Sequence, residues 1–511
     1  MSQTQQNITI SAPGFGGLNT ELSPADAQDS FASVADNCII DKYGRIAARK
    51  GFLTLTTDAT AYGADINIEK IYSHLDEVGV ETVFTAADNR IFKAEAVPID
   101  ITPVAGSTAI TDNHWQIVTF NDACYFYQKN HTAMKWDSAL ATLVEPVTAL
   151  PRAHVACAAY GRMWVAGVVG ESPVIHWSEL LNGDNFTTGD SGLLDVTKYW
   201  PTGFDTVEAI IAHNDRLIVF GRNNILIYSG ADDPVNSLAL EDSINGMGCI
   251  ARDTVHSIGK DILFLDTTGV RSLARTIQER SAPIGDVSRN VRTTLVEFIA
   301  DTEAPEQIDA VYASEESLYL LLFKENNIIY AFDTRQVGEN GEMRVTSWPG
   351  NAARSACVSK MGRLLIGGVS RIGLYSGYLD AGASYPLRYF SNPMTFGDVS
   401  RLKFPKQIDF TVLAGGGVEA TVFWGFNYSN VFRNQPFTLT GLGAVAFYGV
   451  SEYGDSGVPL SEYTAGATLA RAKVNIGGNG VAVQVGLEVA VGGETFSIQE
   501  LNIQALIGRM V

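Results

Sequence analysis

The residues able to do chemistry in this chain do not gather into a reactive pattern. Seven histidines stand at 74, 114, 131, 154, 176, 213 and 256, any of which could ligate a metal or act as a base. None belongs to an HExxH pair or stands at ligand spacing from a cysteine. His154, His176 and His213 fall in or beside apolar strand patterns, where a histidine packs and hydrogen-bonds. The five cysteines, Cys38, Cys124, Cys157, Cys249 and Cys357, are odd in number and far apart. They read as reduced, buried thiols, not as a disulfide framework or a zinc site. Gly259-Lys260 runs into Asp261 without the upstream glycine of a phosphate loop, and there is no GxSxG. Asn182–Asp190 (NGDNFTTGD) lacks the alternating acids and final Glu of a calcium loop. Glycosidic cleavage needs two facing carboxylates, and among many Asp and Glu nothing singles out a pair. The expectation is therefore no catalytic, cofactor or metal residue, and no enzyme. Arg45, Arg49 and Lys50 form a small basic group. They read either as a solvated edge or as contacts used in assembly.

Composition narrows the class. The 511 residues are 46% hydrophobic and 18% charged, with 49 glycines, which suits a turn-rich β protein of more than one domain. Fifty-six acidic against 36 basic side chains give a net charge of −20. Such a chain does not grip nucleic acid by counterion release, although DNA could slide past it. Met1–Gln6 is polar, and no run of 18 apolar residues occurs, so neither a signal peptide nor a membrane span is expected.

The elements that would position any site are set by a repeat. Ala153–Ser178 (AHVACAAYGRMWVAGVVGESPVIHWS) returns as Ala353–Ser376 (ARSACVSKMGRLLIGGVSRIGLYS). Both read apolar strand with Cys, turn with Gly-Arg, apolar strand, Gly-centred turn, then a strand closing on aromatic-Ser. Seven such units start their second strands near 81, 122, 162, 216, 261, 317 and 363. The steps of 40 to 56 residues match a four-stranded propeller blade. Five units close on an aromatic followed by Ser or Asp: Trp136-Asp137, Trp177-Ser178, Tyr228-Ser229, Phe332-Asp333 and Tyr375-Ser376. These aromatics are expected to fill the wedge between blades. The expectation for 56–385 is a β-propeller of about seven blades. Six or eight stay open, since the first unit is weakly written and an N-terminal strand could complete a blade. A short helix is expected at Val291–Ile299.

The ends do not repeat. Residues 1–55 read as an irregular arm with a helix over Ser23–Ala35, by its Ser-Pro start, and a hairpin over Asn37–Phe52. Residues 386–511 alternate apolar and polar, as in KQIDFTV (406–412) and GVAVQVGLEV (480–489). They read as a C-terminal β-sandwich. Gly441–Gly457 is expected as a loop with a contact surface.

The two ends carry a resemblance. Gly16-Gly17-Leu18-Asn19, Ala35-Asp36-Asn37, Gly44-Arg45 and Arg49-Lys50-Gly51-Phe52 look like the opening of tail nozzle proteins (tail tubular protein B) of short-tailed bacteriophages. HWSELLNGDNFT in the middle, and KQIDFTV…VEATVFWGF with FSIQELNIQALIGRM at the end, are similar to the same group. The resemblance implies a virion protein, made in the host cytoplasm, that forms a homo-hexameric ring. The portal and adaptor would lie above it and tail fibres or spikes at its side. DNA would pass through without sequence-specific binding, past an acidic lumen. The ends, 1–55 and 386–511, would make the ring and its adaptor contacts. A glycan-binding or glycan-cleaving propeller and a head-completion plug that retains packaged DNA are the competing readings.

Overall fold

Each repeat unit alternates apolar residues along short segments broken by turn residues, and each becomes one antiparallel sheet. The computed structural model describes residues 4–510, except 27, 57–61, 64, 104–108, 138–143, 260, 275–285, 339–340, 415–417 and 440–467. The expected loop Gly441–Gly457 and Lys260 lie outside the described residues.

Seven sheets among the described residues stand as blades. Their innermost strands are Ile68–Leu75, Gln116–Phe120, Val155–Ala159, Val207–His213, His256–Ser257, Asp309–Ala313 and Ser355–Val358. The second strands begin at 81, 123, 162, 216, 262, 318 and 364, each within one residue of its expected position. The turns explain this precision. Asn121-Asp122 and Asn214-Asp215 hold both residues at φ between 46° and 59°. Side-chain amides and carboxylates tolerate that left-handed region, and the paired positive φ is the twist a tight hairpin requires.

The ring is closed. Apolar cores lie between successive blades, from blades one and two (Phe84, Trp115, Trp136) to blades six and seven (Leu320, Trp348, Tyr375), and the one between blades five and six (Leu263, Leu265, Leu321) runs on into the sandwich core. A last one joins blades seven and one through Leu365, Leu374, Ile68 and Phe92. The closing aromatics fill these wedges as expected: Trp136 meets Phe84 edge-on at 5.0 Å and Tyr375 stacks on Trp348 at 5.6 Å. Such pairs add about 0.5–1.5 kcal/mol each beyond their buried area. Blade seven takes its outermost strand, Phe52–Thr54, from the N-terminal stretch, so the chain's two halves lock the ring.

The expected helix at Val291–Ile299 forms as Arg292–Asp301. The one expected over Ser23–Ala35 does not. Residues 24–26 turn, and Phe31–Asp36 is a strand paired with Tyr385–Ser391. A capping signal is local information, and a partner more than 350 positions away overrides it.

The ends form a sandwich together. One sheet runs Thr468–Asn475, Arg401–Ala414, Phe496–Met510, with Thr4–Ser11 and the hairpin Cys38–Ile40/Ile46–Ala48 beyond. The other runs Phe31–Asp36, Tyr385–Ser391, Val483–Val491, Val418–Phe426 and Arg433–Leu439. Their inner faces (Ile408, Val412, Leu501, Ile503 against Leu387, Val422, Leu487, Val489) share one core. Residues 4–54 are thus not a free arm: they supply strands to both sandwich sheets and to blade seven. The second sheet also continues into blade six through Phe31–Asp36 beside Met343–Pro349. No helix among the described residues is long and apolar enough to cross a membrane.

Candidate functional site

Two places concentrate polar chemistry: the propeller axis, and the joint between propeller and sandwich. At the axis a single turn of 3-10 helix, Arg252–Thr254, lies across the starts of the inner strands. Asp253 accepts from Lys70 Nζ of blade one at 3.0 Å and contacts His114 Nε2 before blade two at 2.7 Å. Arg252 donates to the His154 carbonyl before blade three and reaches the His114 carbonyl at 3.4 Å. Asp309 of blade six lies 3.8 Å from Lys70. With Tyr319 of blade six donating to the Thr254 carbonyl at 2.8 Å, four blades are tied to one buried turn. Burial works against the Asp253 carboxylate, yet Arg252, Lys70 and His114 hold it well below the usual range. Burial, reinforced by Arg252, pushes His114 down to about 4, and burial takes His154 to about 4. Both imidazoles are packed groups held in the neutral form, which the sequence suggested for His154.

Beyond the plug lies an axial cavity of about 330 Å3, lined by Tyr72, Thr119, Cys157, Ile211, Arg252 and Lys360 among others. The nearest approach to catalytic geometry is here. Thr119 Oγ1 lies 3.1 Å from His74 Nδ1, and His74 Nε2 faces Asp122. The imidazole–carboxylate gap is 3.9 Å, too long for a hydrogen bond. The hydroxyl is also shared with Tyr72 Oη at 2.9 Å, and burial lowers the His74 basicity. The cluster braces blades one and two rather than activating a nucleophile. Burial likewise pushes the Cys157 thiol up to about 11, away from thiolate reactivity. Among the described residues no three His, Cys, Asp or Glu side chains converge as a metal site.

The basic group expected as contacts is split. Arg49 is 1% exposed, so it is no surface contact. Its guanidinium forks onto Asp380 at 2.9 and 2.6 Å and donates to Asn37 Oδ1 at 3.0 Å. It also lies over Tyr385 at 4.2 Å and Phe52 at 4.9 Å. The sequence placed it on an edge because nothing local announces Asp380, 331 positions on. Arg45 pairs with Asp41 at 2.6 Å and covers the Tyr43 ring at 4.6 Å. Lys50 pairs with Glu316 of blade six at 2.7 Å, with its side chain 37% exposed.

The other resemblance-bearing residues serve the same joint. Gly17 has φ +81°, and a Cβ there would stand 2.7 Å from the Val345 carbonyl of blade six. Asn19 caps the following turn, accepting from the Glu21 and Leu22 amides, and donates to Asn290 at 3.3 Å. Glu21 in turn accepts from the Thr293 amide and hydroxyl in the first turn of the helix. Asn37, at φ 53°, donates to the Pro386 carbonyl at 2.9 Å. Gly51 sits where any side chain would overlap the Leu379 backbone. The motif residues are thus the hinge pins between propeller and sandwich.

A scan against protein-family models and a search of curated proteins find no match. Solved structures with a related shape include distant ones. The extracellular domain of a putative hybrid two-component system from B. thetaiotaomicron aligns over 66% of this chain and 41% of its own, at 10% identity and TM-score 0.41. The chain therefore spans about two-fifths of that domain. The WD40 propeller of Doa1 aligns over 64% of this chain and 97% of its own (8% identity, TM-score 0.37). That of Neurospora crassa Pan2 aligns over 64% and 94% (9%, 0.37). The chain is a β-propeller protein fused to a β-sandwich built from its two ends.

Proposed function

We propose that this chain is a structural subunit of the tail of a short-tailed phage, assembling as a homo-hexameric nozzle below portal and adaptor for genome retention and ejection. One observation carries the reading. The segments at the two ends that resemble nozzle proteins, about 450 positions apart where they pair, meet in a single sandwich pinned to blades six and seven. A chain that spends its most distinctive residues on a rigid joint, and closes its propeller axis with buried ion pairs, is built to hold shape under load. We assign it no enzymatic step and no cofactor, and place it in the virion.

Charge supports the division of labour. Residues 56–385 hold 42 of the 56 acidic and 24 of the 36 basic side chains, whereas the two ends together hold 14 and 12. The sandwich is close to neutral, so copies can abut there. The propellers carry the field that repels phosphate and keeps neighbouring assemblies apart. The acidity of the lumen expected from composition would then come from whichever propeller faces border it, and not from the sandwich.

The axial cavity favours the second reading, a glycan-binding propeller, since Tyr72 lines it. Native mass spectrometry of the purified chain decides between them. The nozzle reading expects six copies of the 55.0 kDa chain. A strict monomer that binds a host polysaccharide would replace it with the glycan reading.

A further inference from the structure

We infer that copies of this chain join edge to edge through the first sandwich sheet, with strand Thr4–Ser11 of one copy pairing against strand Thr468–Asn475 of the next. An exposed sheet edge is a row of free backbone donors and acceptors, and proteins guard such rows with charge, proline, bulges or brevity. The described outward edges, those of the blades and of the second sandwich sheet, follow that practice, and Thr4–Ser11 does not. Arg433–Leu439 carries Arg433 and Pro436, and Ala239–Asn245 carries Glu241 and Asp242. The outer strands Ile99–Asp100, Glu145–Pro146, Gly192–Asp195 and Phe52–Thr54 run four residues or fewer. Thr4–Ser11 (TQQNITIS) has eight residues and neither charge nor proline. It pairs with Phe496–Met510 in unbroken register, and its other side meets no strand among the described residues. Residues 1–20 contain no charged side chain at all.

Among the described residues the opposite edge of the same sheet is Thr468–Asn475, also eight residues long, with Lys473 exposed and Arg471 paired with Asp409 at 2.8 Å. The four strands between and including these edges alternate in direction: Thr4–Ser11 against Phe496–Met510, that against Arg401–Ala414, and that against Thr468–Asn475. The two edge strands of one copy therefore run oppositely. A second copy rotated about an axis along the strands continues the antiparallel alternation without a break. Two different edges meeting make a head-to-tail contact, which closes into a ring when the rotation allows.

Charge selects a second copy as the occupant. A chain of net charge −20 repels itself, and the repulsion is least where the uncharged N-terminal strand meets an edge whose exposed charge is the cation Lys473, Arg471 being paired with Asp409. Across the sheet Lys473, Asp409, Asn502 and Thr9 stand in one row. The row places Thr9 of one copy beside Lys473 of the next.

This inference rests on the ring reading above, and its test separates the two. One preparation carries Thr9→Cys and another Lys473→Cys; they are mixed, dissociated, reassembled and oxidised. The native cysteines are buried or half-buried, and unsubstituted protein gives the background. The edge pairing expects disulfide-linked dimers in the mixture, at least tenfold over either variant alone. Oligomers on native mass spectrometry without that cross-link overturn the edge contact and leave the ring. Cross-links within the Thr9→Cys preparation alone mean a twofold pairing of like edges and overturn it as well. If the chain is strictly monomeric, both readings fall together.

Discussion

Replacing Arg49 by Ala tests whether the joint, and not the surface, is where this residue acts. The substitution removes a fork onto Asp380, a hydrogen bond to Asn37 and the cover over Tyr385 and Phe52. Breaking a fully buried ion pair from one side costs about 3–5 kcal/mol, because the other charge is left behind. Asp380 keeps 23% of its side chain exposed, so water recovers part of its solvation and the expected loss falls to roughly 2–4 kcal/mol. Arg49→Lys restores the charge but not the planar fork, and should recover less than half. The assay is urea denaturation followed by tryptophan fluorescence, to which Trp348, 5.8 Å from the guanidinium, contributes along with six other tryptophans. Asp380→Asn and the double substitution complete a cycle, with an expected coupling of about 1.5–3 kcal/mol. A loss within about 0.5 kcal/mol, the range of ordinary surface positions, would refute the reasoning and return Arg49 to the set of possible assembly contacts.

Other outcomes follow from the same geometry. Lys50→Ala removes a half-exposed pair with Glu316 and should cost no more than about 1 kcal/mol in the same assay. Gly51→Ala should cost several times what Gly79→Ala costs by thermal melting: the first forces a side chain onto the Leu379 backbone, while the second meets open space and costs only about 1–2 kcal/mol for its left-handed φ of +86°. His114 binds protons less readily folded than unfolded, so its neutral form supports the fold fully above pH 6.5 and that support is lost as pH falls toward 4. The shift corresponds to about 3 kcal/mol, and His114→Asn should flatten the stability–pH curve in that window. Asp253 acts lower on the scale: its depressed value means a further loss below about pH 4, the unfolded carboxylate value. An Asp253→Asn variant should lack that acid limb.

How much was legible in the sequence depends on the range of each interaction. Blade positions were readable to within a residue because hairpin turns and strand alternation are local. Asn121-Asp122 or Asn214-Asp215 dictate a turn wherever they occur. The helix near 291 was readable for the same reason. The Ser23–Ala35 stretch was misread because Phe31–Asp36 is a strand only by virtue of Tyr385–Ser391. Arg49 was placed on an edge because its partners, Asp380 and Tyr385, are more than 330 positions away. The axial turn Arg252–Thr254 passed unnoticed for a related reason. Arg-Asp-Thr is unremarkable in sequence, and becomes a plug only when Lys70, His114 and Tyr319 converge on it from separate blades. A residue rule could have found it: an Arg-Asp pair bounded by Cys249-Ile250-Ala251 and Val255 is charge inside an apolar run, which demands buried partners.

The assembly proposed for this chain is a closed ring through which duplex DNA passes, with the sandwiches of neighbouring copies in contact. A cryo-electron microscopy reconstruction of the purified assembly tests it most directly. The proposed ring has six-fold symmetry, a lumen wide enough for duplex DNA, and subunit contacts through the sheet that contains Thr4–Ser11 and Thr468–Asn475. A monomer, or an assembly whose copies touch only through their propellers, would contradict it.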